Sequence, residues 1–331
     1  EDGVPCDRSM EFVAEYTTKD LILYALAIGF GSSEEEISYV FEKHSSFSAV
    51  PSFSLVLPFW ADKSLGNSQT IKPFPPPMIK AVGLLPKDHV RTKLVPKNLP
   101  VIHTSQSITW HRPVPIPTEG SAIQTHLMSR IISVVPKSVG TFVTSETHIK
   151  LNESVICTMQ STNLLLGMPP EDVIPFGTQP NKRQRNSLLM SKSPVFEWAY
   201  STIPIQALLY RMASGDSNII HVDSSSVSLG GDPKRPLLHG LCTLGIAVRG
   251  IMKYLRVTGG GFQFKRLDVV FTKPVFVGDV LMIRIWEDAT REVNINDTRL
   301  VFQVLNSDSG DLVIDHGIVC IDQTGVTRAR M

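Results

Sequence analysis

The period of the apolar positions changes several times along the chain. Residues 20–28 form an apolar run with Thr17 and Thr18 ahead of it and Gly29 and Gly31 behind, which predicts a buried helix with a polar cap and a glycine stop. Residues 34–41 read as a short amphipathic turn, and residues 49–60 as an apolar segment broken by Pro51 and Pro58. Prolines and lysines gather over 70–99, where Phe74-Pro75-Pro76-Pro77 predicts a surface connection or lid. Alternation then takes over in 105–112, 122–135, 140–150 and 153–166. These are predicted antiparallel strands, with turns at Pro136-Lys137-Ser138 and Leu151-Asn152.

Periodicity is lost over 167–193, where Pro169, Pro170, Pro175, Pro180 and Asn181 give the composition of a crossing segment. Beyond it, 205–212 is apolar and 237–255 has the length of a buried helix. Strands are predicted at 262–271, 280–287, 299–306 and 312–322. Ser107-Ile-Thr-Trp-His-Arg-Pro-Val-Pro echoes Asp268-Val-Val-Phe-Thr-Lys-Pro-Val-Phe, each an alternating strand ending in a basic residue, Pro and Val. The chain therefore divides into residues 1–168, a linker at 169–193 and residues 194–331, two halves related by duplication.

Composition narrows the function classes. The 331 residues are 42% hydrophobic and 19% charged, enough to fill two cores. Lys and Arg number 32 against 31 Asp and Glu, so a nucleic-acid partner is not expected; the one dense basic run, Lys182-Arg183-Gln184-Arg185, reads as solvated linker. No run reaches the roughly 18 apolar residues of a membrane span, and no signal-peptide pattern opens the chain, so a soluble protein is expected. Cys6, Cys157, Cys242 and Cys320 are too scattered for a zinc motif or disulfide framework, which fits a reducing compartment.

Chemistry concentrates in Ser214-Gly215-Asp216-Ser217-Asn218-Ile219-Ile220-His221. A carboxylate, a carboxamide and an imidazole lie within six positions, a set able to hold and deprotonate water. Positions five apart diverge by about 140° on a helix, so convergence of Asp216 and His221 requires an irregular turn. By itself the segment also reads as a structural turn. In Arg235-Pro236-Leu237-Leu238-His239-Gly240-Leu241, Gly240 stands at the mouth of the long helix, where unpaired N–H groups can receive an oxyanion. The alternative is that His239 caps the helix and Gly240 packs.

Together these stretches resemble the MaoC-like hydratase 2 family, the (R)-specific 2-enoyl-CoA hydratases also found in peroxisomal multifunctional enzyme type 2. The resemblance covers nearly the whole chain: Tyr16 to Gly29, Tyr210 to His221, His239-Gly240-Leu241-Cys242-Thr243-Leu244-Gly245, and Phe271-Thr272-Lys273-Pro274-Val275. It implies an α+β double hot-dog fold, two halves each with an antiparallel sheet around a long helix. Only the second half is catalytic, since nothing like SGDxNxxH precedes residue 214; the first accommodates an acyl chain.

Position by position, the resemblance assigns Asp216 and His221 to the catalytic pair, Asn218 to the orienting residue and Gly240 to the donor toward the thioester oxygen. His103, Thr104, Lys137 and Phe271 match substrate contacts. Ile219 stands where the family has Pro, and Thr104 where it has Gly. The implied reaction is reversible syn-type hydration of trans-2-enoyl-CoA to (3R)-3-hydroxyacyl-CoA in fatty-acid β-oxidation. No cofactor or metal is expected beyond the CoA of the substrate, and a homodimer is the assembly to test. An acyl-CoA thioesterase and a non-catalytic acyl-CoA-binding module are the competing readings. Ala329-Arg330-Met331 fits a peroxisomal address; failing that, the expected location is the cytoplasm.

Overall fold

Along Met10–Thr17 (β1) the buried Phe12, Ala14 and Tyr16 alternate with partly exposed neighbours, so one face of the strand joins a core. The same logic builds nine more strands. They are Val101–Trp110 (β2), Ala122–Lys137 (β3), Gly140–Leu151 (β4), Ser154–Leu165 (β5), Phe196–Ser201 (β6), Gln263–Phe271 (β7), Val280–Glu287 (β8), Asp297–Asn306 (β9) and Leu312–Asp322 (β10). The computed structural model describes residues 9–63, 71–82, 87–91, 100–178, 190–223, 225, 235–259, 261–288 and 297–323. Cys6, the basic run at 182–185 and the C-terminal tripeptide lie outside these described residues.

All ten strands form one antiparallel sheet in the order β1-β3-β4-β5-β2-β7-β10-β9-β8-β6. Numbering each half from its own first strand gives 1-3-4-5-2 followed by its mirror, so the same unit occurs twice and meets itself at β2 and β7. This is the expected α+β double hot-dog. The seam pairs Ser105 with Val270 through Thr109 with Arg266. Ser107 donates its hydroxyl to Asp268, which also receives the Arg266 guanidinium at 2.8 Å.

The helices depart from strict duplication. In the second half, Gln206–Ser214 (α4) precedes Gly240–Val257 (α5), an 18-residue helix buried on nearly every side. Its Gly245 is required by packing, because a Cβ there would stand 2.6 Å from Ile28. In the first half, Thr18–Ala27 (α1) packs on α4, but among the described residues the α-helices that follow it are short, the longest being Pro77–Val82 (α3). A 3₁₀ turn, Pro51–Val56, and one helical turn, Leu57–Trp60 (α2), occupy that place against α5, because Pro51 and Pro58 prevent a continuous helix. The expectation of a long helix in each half is corrected on this point.

Several boundaries also move. β1 and β6, the two edge strands, were not expected from the sequence, although Phe196, Trp198 and Tyr200 alternate with exposed neighbours along β6. Pro136 and Lys137 continue β3 rather than forming a turn, and α5 begins at Gly240 rather than at residue 237. The N-terminus of α1 forms as expected, with Thr17 N–H and hydroxyl both donating to Asp20 at 2.8 and 2.7 Å.

A buried ion cluster ties the halves together. Glu36, 1% exposed, accepts from Arg249 of α5 at 2.7 and 2.9 Å, from Lys253 at 3.0 Å and from Gly31 N–H at 3.1 Å. Burial alone would raise the Glu36 carboxyl, but Arg249 and Lys253 hold it down at about 2. Removing one partner strands the other charge in the core. Glu36→Ala is therefore expected to destabilise the fold by about 3–5 kcal/mol in urea unfolding, whereas a loss under about 1 kcal/mol would show that the cluster is inessential.

Candidate active site

The α4 helix stops at Gly215, whose φ of 73° and N–H bond to the Arg211 carbonyl make a left-handed cap. A side chain there would also collide with the Trp60 indole at 2.6 Å. The chain then folds on itself through its own short side chains. Ser214 Oγ accepts from Asp216 N–H at 3.2 Å, and Asp216 Oδ1 accepts from Asn218 N–H at 3.1 Å. Asn218 Oδ1 accepts from Ile220 N–H and caps a 3₁₀ turn, Ile219–His221. This is the irregular turn that the spacing demanded.

Its consequence is a close buried pair. Asp216 Oδ2 lies 4.0 Å from His221 Nε2, too far for a direct hydrogen bond and well placed to share one oxygen. His221 Nδ1 lies 2.9 Å from the Leu237 carbonyl. A carbonyl only accepts, so Nδ1 carries the proton and the Nε2 lone pair faces Asp216. Burial raises the Asp216 carboxyl, and burial lowers the His221 imidazole against the opposing pull of Asp216.

His239, for which the sequence offered a capping role only as the alternative, stands at the N-cap but makes no side-chain cap. Its backbone carbonyl accepts from Cys242 and Thr243 N–H, which starts α5, while its ring stacks on His221 with centroids 3.6 Å apart and planes 22° apart. Burial, then the neighbouring His221, pushes His239 well below the ordinary imidazole range. Asp216, His221 and His239 each offer one potential metal-ligand atom, all within 4.8 Å of one another.

The remaining predicted residues divide. Gly240 opens α5, and a Cβ at Gly240 would touch the Phe271 ring at an ordinary 3.5 Å. Phe271 in turn packs on His103 with ring centroids 5.0 Å apart, and His103 Nε2 donates to the Ser105 carbonyl at 3.0 Å. Burial pushes His103 down to about 4. Thus Asp216, His221, Gly240, Phe271 and His103 form one contiguous line of contacts through His239. Thr104 sits at a bulge between β2 and β5 and donates to the Thr162 carbonyl. Asn218 bonds Asp216 through its backbone N–H, while its side-chain oxygen caps the turn. Lys137 is set apart, exposed at the far end of β3, three strands from β2, its ammonium 5.7 Å above the Phe142 ring.

Comparison with known proteins bears on the same architecture. The MFE-2 hydratase 2 N-terminal domain matches residues 14–167, and the MaoC like domain matches residues 185–305. The chain is 28% identical to peroxisomal multifunctional enzyme type 2 of Drosophila melanogaster, across 86% of this chain and 43% of that protein. It is 26% identical to the probable enoyl-CoA hydratase 2 of Dictyostelium discoideum, across 92% and 91%. A MaoC-like dehydratase structure from Phytophthora capsici superposes with a TM-score of 0.72 at 25% identity, covering 95% of this chain and 96% of that one. Against the multifunctional relatives it matches, including the hydratase-dehydrogenase-epimerase of Saccharomyces cerevisiae at 30%, the chain spans less than half their length.

Three imidazoles held down by desolvation predict acid sensitivity. His103, His221 and His239 titrate lower in the fold than their ordinary 6.5, so the unfolded chain binds more protons as pH falls below that value. Stability should be full above pH 7 and decline between pH 6.5 and 5, each histidine contributing a slope approaching about 1.4 kcal/mol per pH unit. Asp216 acts in the opposite sense, only between 3.8 and its raised value. Urea unfolding at pH 7.5 and 5.5 checks this; equal or greater stability at pH 5.5 refutes it.

Proposed function

We propose that this chain, which belongs to the MaoC-like hydratase 2 family, reversibly adds water across trans-2-enoyl-CoA to give (3R)-3-hydroxyacyl-CoA in fatty-acid β-oxidation. The observation that carries the reading is the orientation of His221, its Nδ1 proton committed to Leu237 and its Nε2 lone pair facing the Asp216 carboxylate across 4.0 Å. A water between them would lose a proton to Nε2 as its oxygen bonds to C3 of the enoyl group. The electron pair of the double bond moves toward the thioester oxygen, which Gly240 N–H at the positive end of α5 receives. The same proton is then delivered to C2 on the face from which water came, giving syn addition. Hydration changes no net oxidation state, so the balance calls for no redox cofactor.

The acyl chain is proposed to enter the first half, where a cavity of about 800 Å3 lies beside β1, lined by Met10, Phe12 and Ile71 together with Lys63, Lys72 and Lys80. Ser217 of the site turn donates to the Lys72 carbonyl, so the cavity wall and the reacting groups are joined. His103 and Phe271 would flank the thioester. Residence in the peroxisome is part of the proposal and is supported by the names of the relatives.

Asp216→Asn and His221→Ala should each lower kcat by about a hundredfold or more, read as loss of enoyl-thioester absorbance without release of free thiol. Near-normal turnover by either variant would refute the mechanism, and thiol release by the native chain would favour a thioesterase. Because His221 titrates below its ordinary value, the acid limb of kcat should fall below pH 6.5. Gly240→Ala separates chemistry from packing. Its methyl meets only an ordinary contact, so Tm should change by no more than a few degrees while kcat falls about tenfold or more; unchanged kcat would remove Gly240 from the site.

A further inference from the structure

The reaction just proposed leaves His239 without a part, although its ring lies against the base. His239 is 2% exposed, and neither ring nitrogen makes a well-formed hydrogen bond within the protein; the Asp216 backbone comes near without aligning. A buried imidazole is costly to leave unpaired, by about 1–3 kcal/mol for each polar atom. Its Nδ1 or Nε2 lies within 4.8 Å of both the Asp216 carboxylate and the His221 nitrogen. Any triangle with sides no longer than that contains a point within about 2.8 Å of all three corners, which is hydrogen-bond distance for a single oxygen.

The donor inventory matches one water. Asp216 and the His221 Nε2 lone pair are both acceptors, so together they take the two protons of the water. What such a water then requires is a donor to one of its lone pairs. His239, kept neutral by burial, carries one N–H and can provide that donor. We propose that His239 is a third catalytic residue, whose N–H hydrogen-bonds the attacking water held by Asp216 and His221. That bond fixes the orientation of the water, leaves its other lone pair directed at C3, and stabilises the negative charge that grows on its oxygen as Nε2 takes the proton. Tyr210, with its ring centroid 5.0 Å from that of His239 on the side of α4, holds the ring in place, and Arg211 is the nearby cation disfavouring its protonation.

This inference rests on the hydratase reading, and the experiment separates the two. If the native chain hydrates no enoyl-CoA, the reading itself fails; if it does, His239 is tested by replacement. His239→Phe keeps an aromatic ring stacked on His221 and removes both nitrogens, and His239→Leu removes the ring as well. Both should lower kcat by about tenfold or more, with KM within about threefold of the native value. Native kcat in either folded variant overturns the proposal, as does a rise in KM with kcat unchanged. A high-resolution crystal structure of the native protein gives a decision that does not depend on variants. A water within hydrogen-bond distance of Asp216, His221 and a His239 nitrogen is expected, and one bonded to the first two alone overturns the inference. Activity lost to EDTA and restored by zinc would assign the triangle to an ion and overturn it equally.

Discussion

Enclosure of α5 on nearly every side is the constraint on which the rest of the structure depends. The helix can be swallowed only if a sheet curves around it and if its glycines allow α1 and β6 close to its axis, as Gly245 against Ile28 and Gly250 against Trp198 do. Enclosure also brings Arg249 into the core, and the fold answers with Glu36, Lys253 and the aromatic rings of Phe30, Trp198 and Tyr200 around the guanidinium. At the start of the helix Leu241 and Cys242 are buried while Gly240 is exposed, so an oxyanion can reach the first turn and its unpaired N–H groups.

The site is assembled from both sides of that helix start. The turn after α4 brings a carboxylate and an imidazole to it, while β2 and β7, the two strands at the seam, bring His103 and Phe271. Both halves meet there: the second holds Asp216, His221 and Gly240, and the first brings His103, the Trp60 indole beside Gly215 and the Lys72 carbonyl that anchors Ser217. The long helix of the second half has no counterpart among the described residues of the first, where Pro51 and Pro58 interrupt the helical segment.

Much of this was legible in the residues. The interior strands follow from alternation, because each buries one face and a one-residue error would turn that face to water. The two edge strands, β1 and β6, pair with a neighbour on one flank only. The Asp216 and His221 pairing was legible from their spacing, which no helix could satisfy. Gly215 as a stop and Asn218 as a local cap could be inferred from the same turn chemistry, although the action of Asn218 through the Ile220 N–H could not. Lys137, which the resemblance offered as a substrate contact, stands three strands from His103 of β2, a separation that only the sheet order sets.

What the sequence determined by itself was local: the alternation of the strands, the caps and stops of α1 and α4, the irregular turn at 214–221, and the echo between the two halves. These depend on neighbours a few residues away, and short-range sterics and hydrogen bonding decide them. Only the tertiary structure decided which nitrogen of His221 carries the proton, since its partner, Leu237, lies 16 residues on. It alone stacked the His239 ring on the base, joined the halves through Ser107 and Asp268, and put Glu36 on Arg249 across 213 residues. Such contacts are set by the closure of the sheet around one buried helix, a condition that no local window of the chain contains.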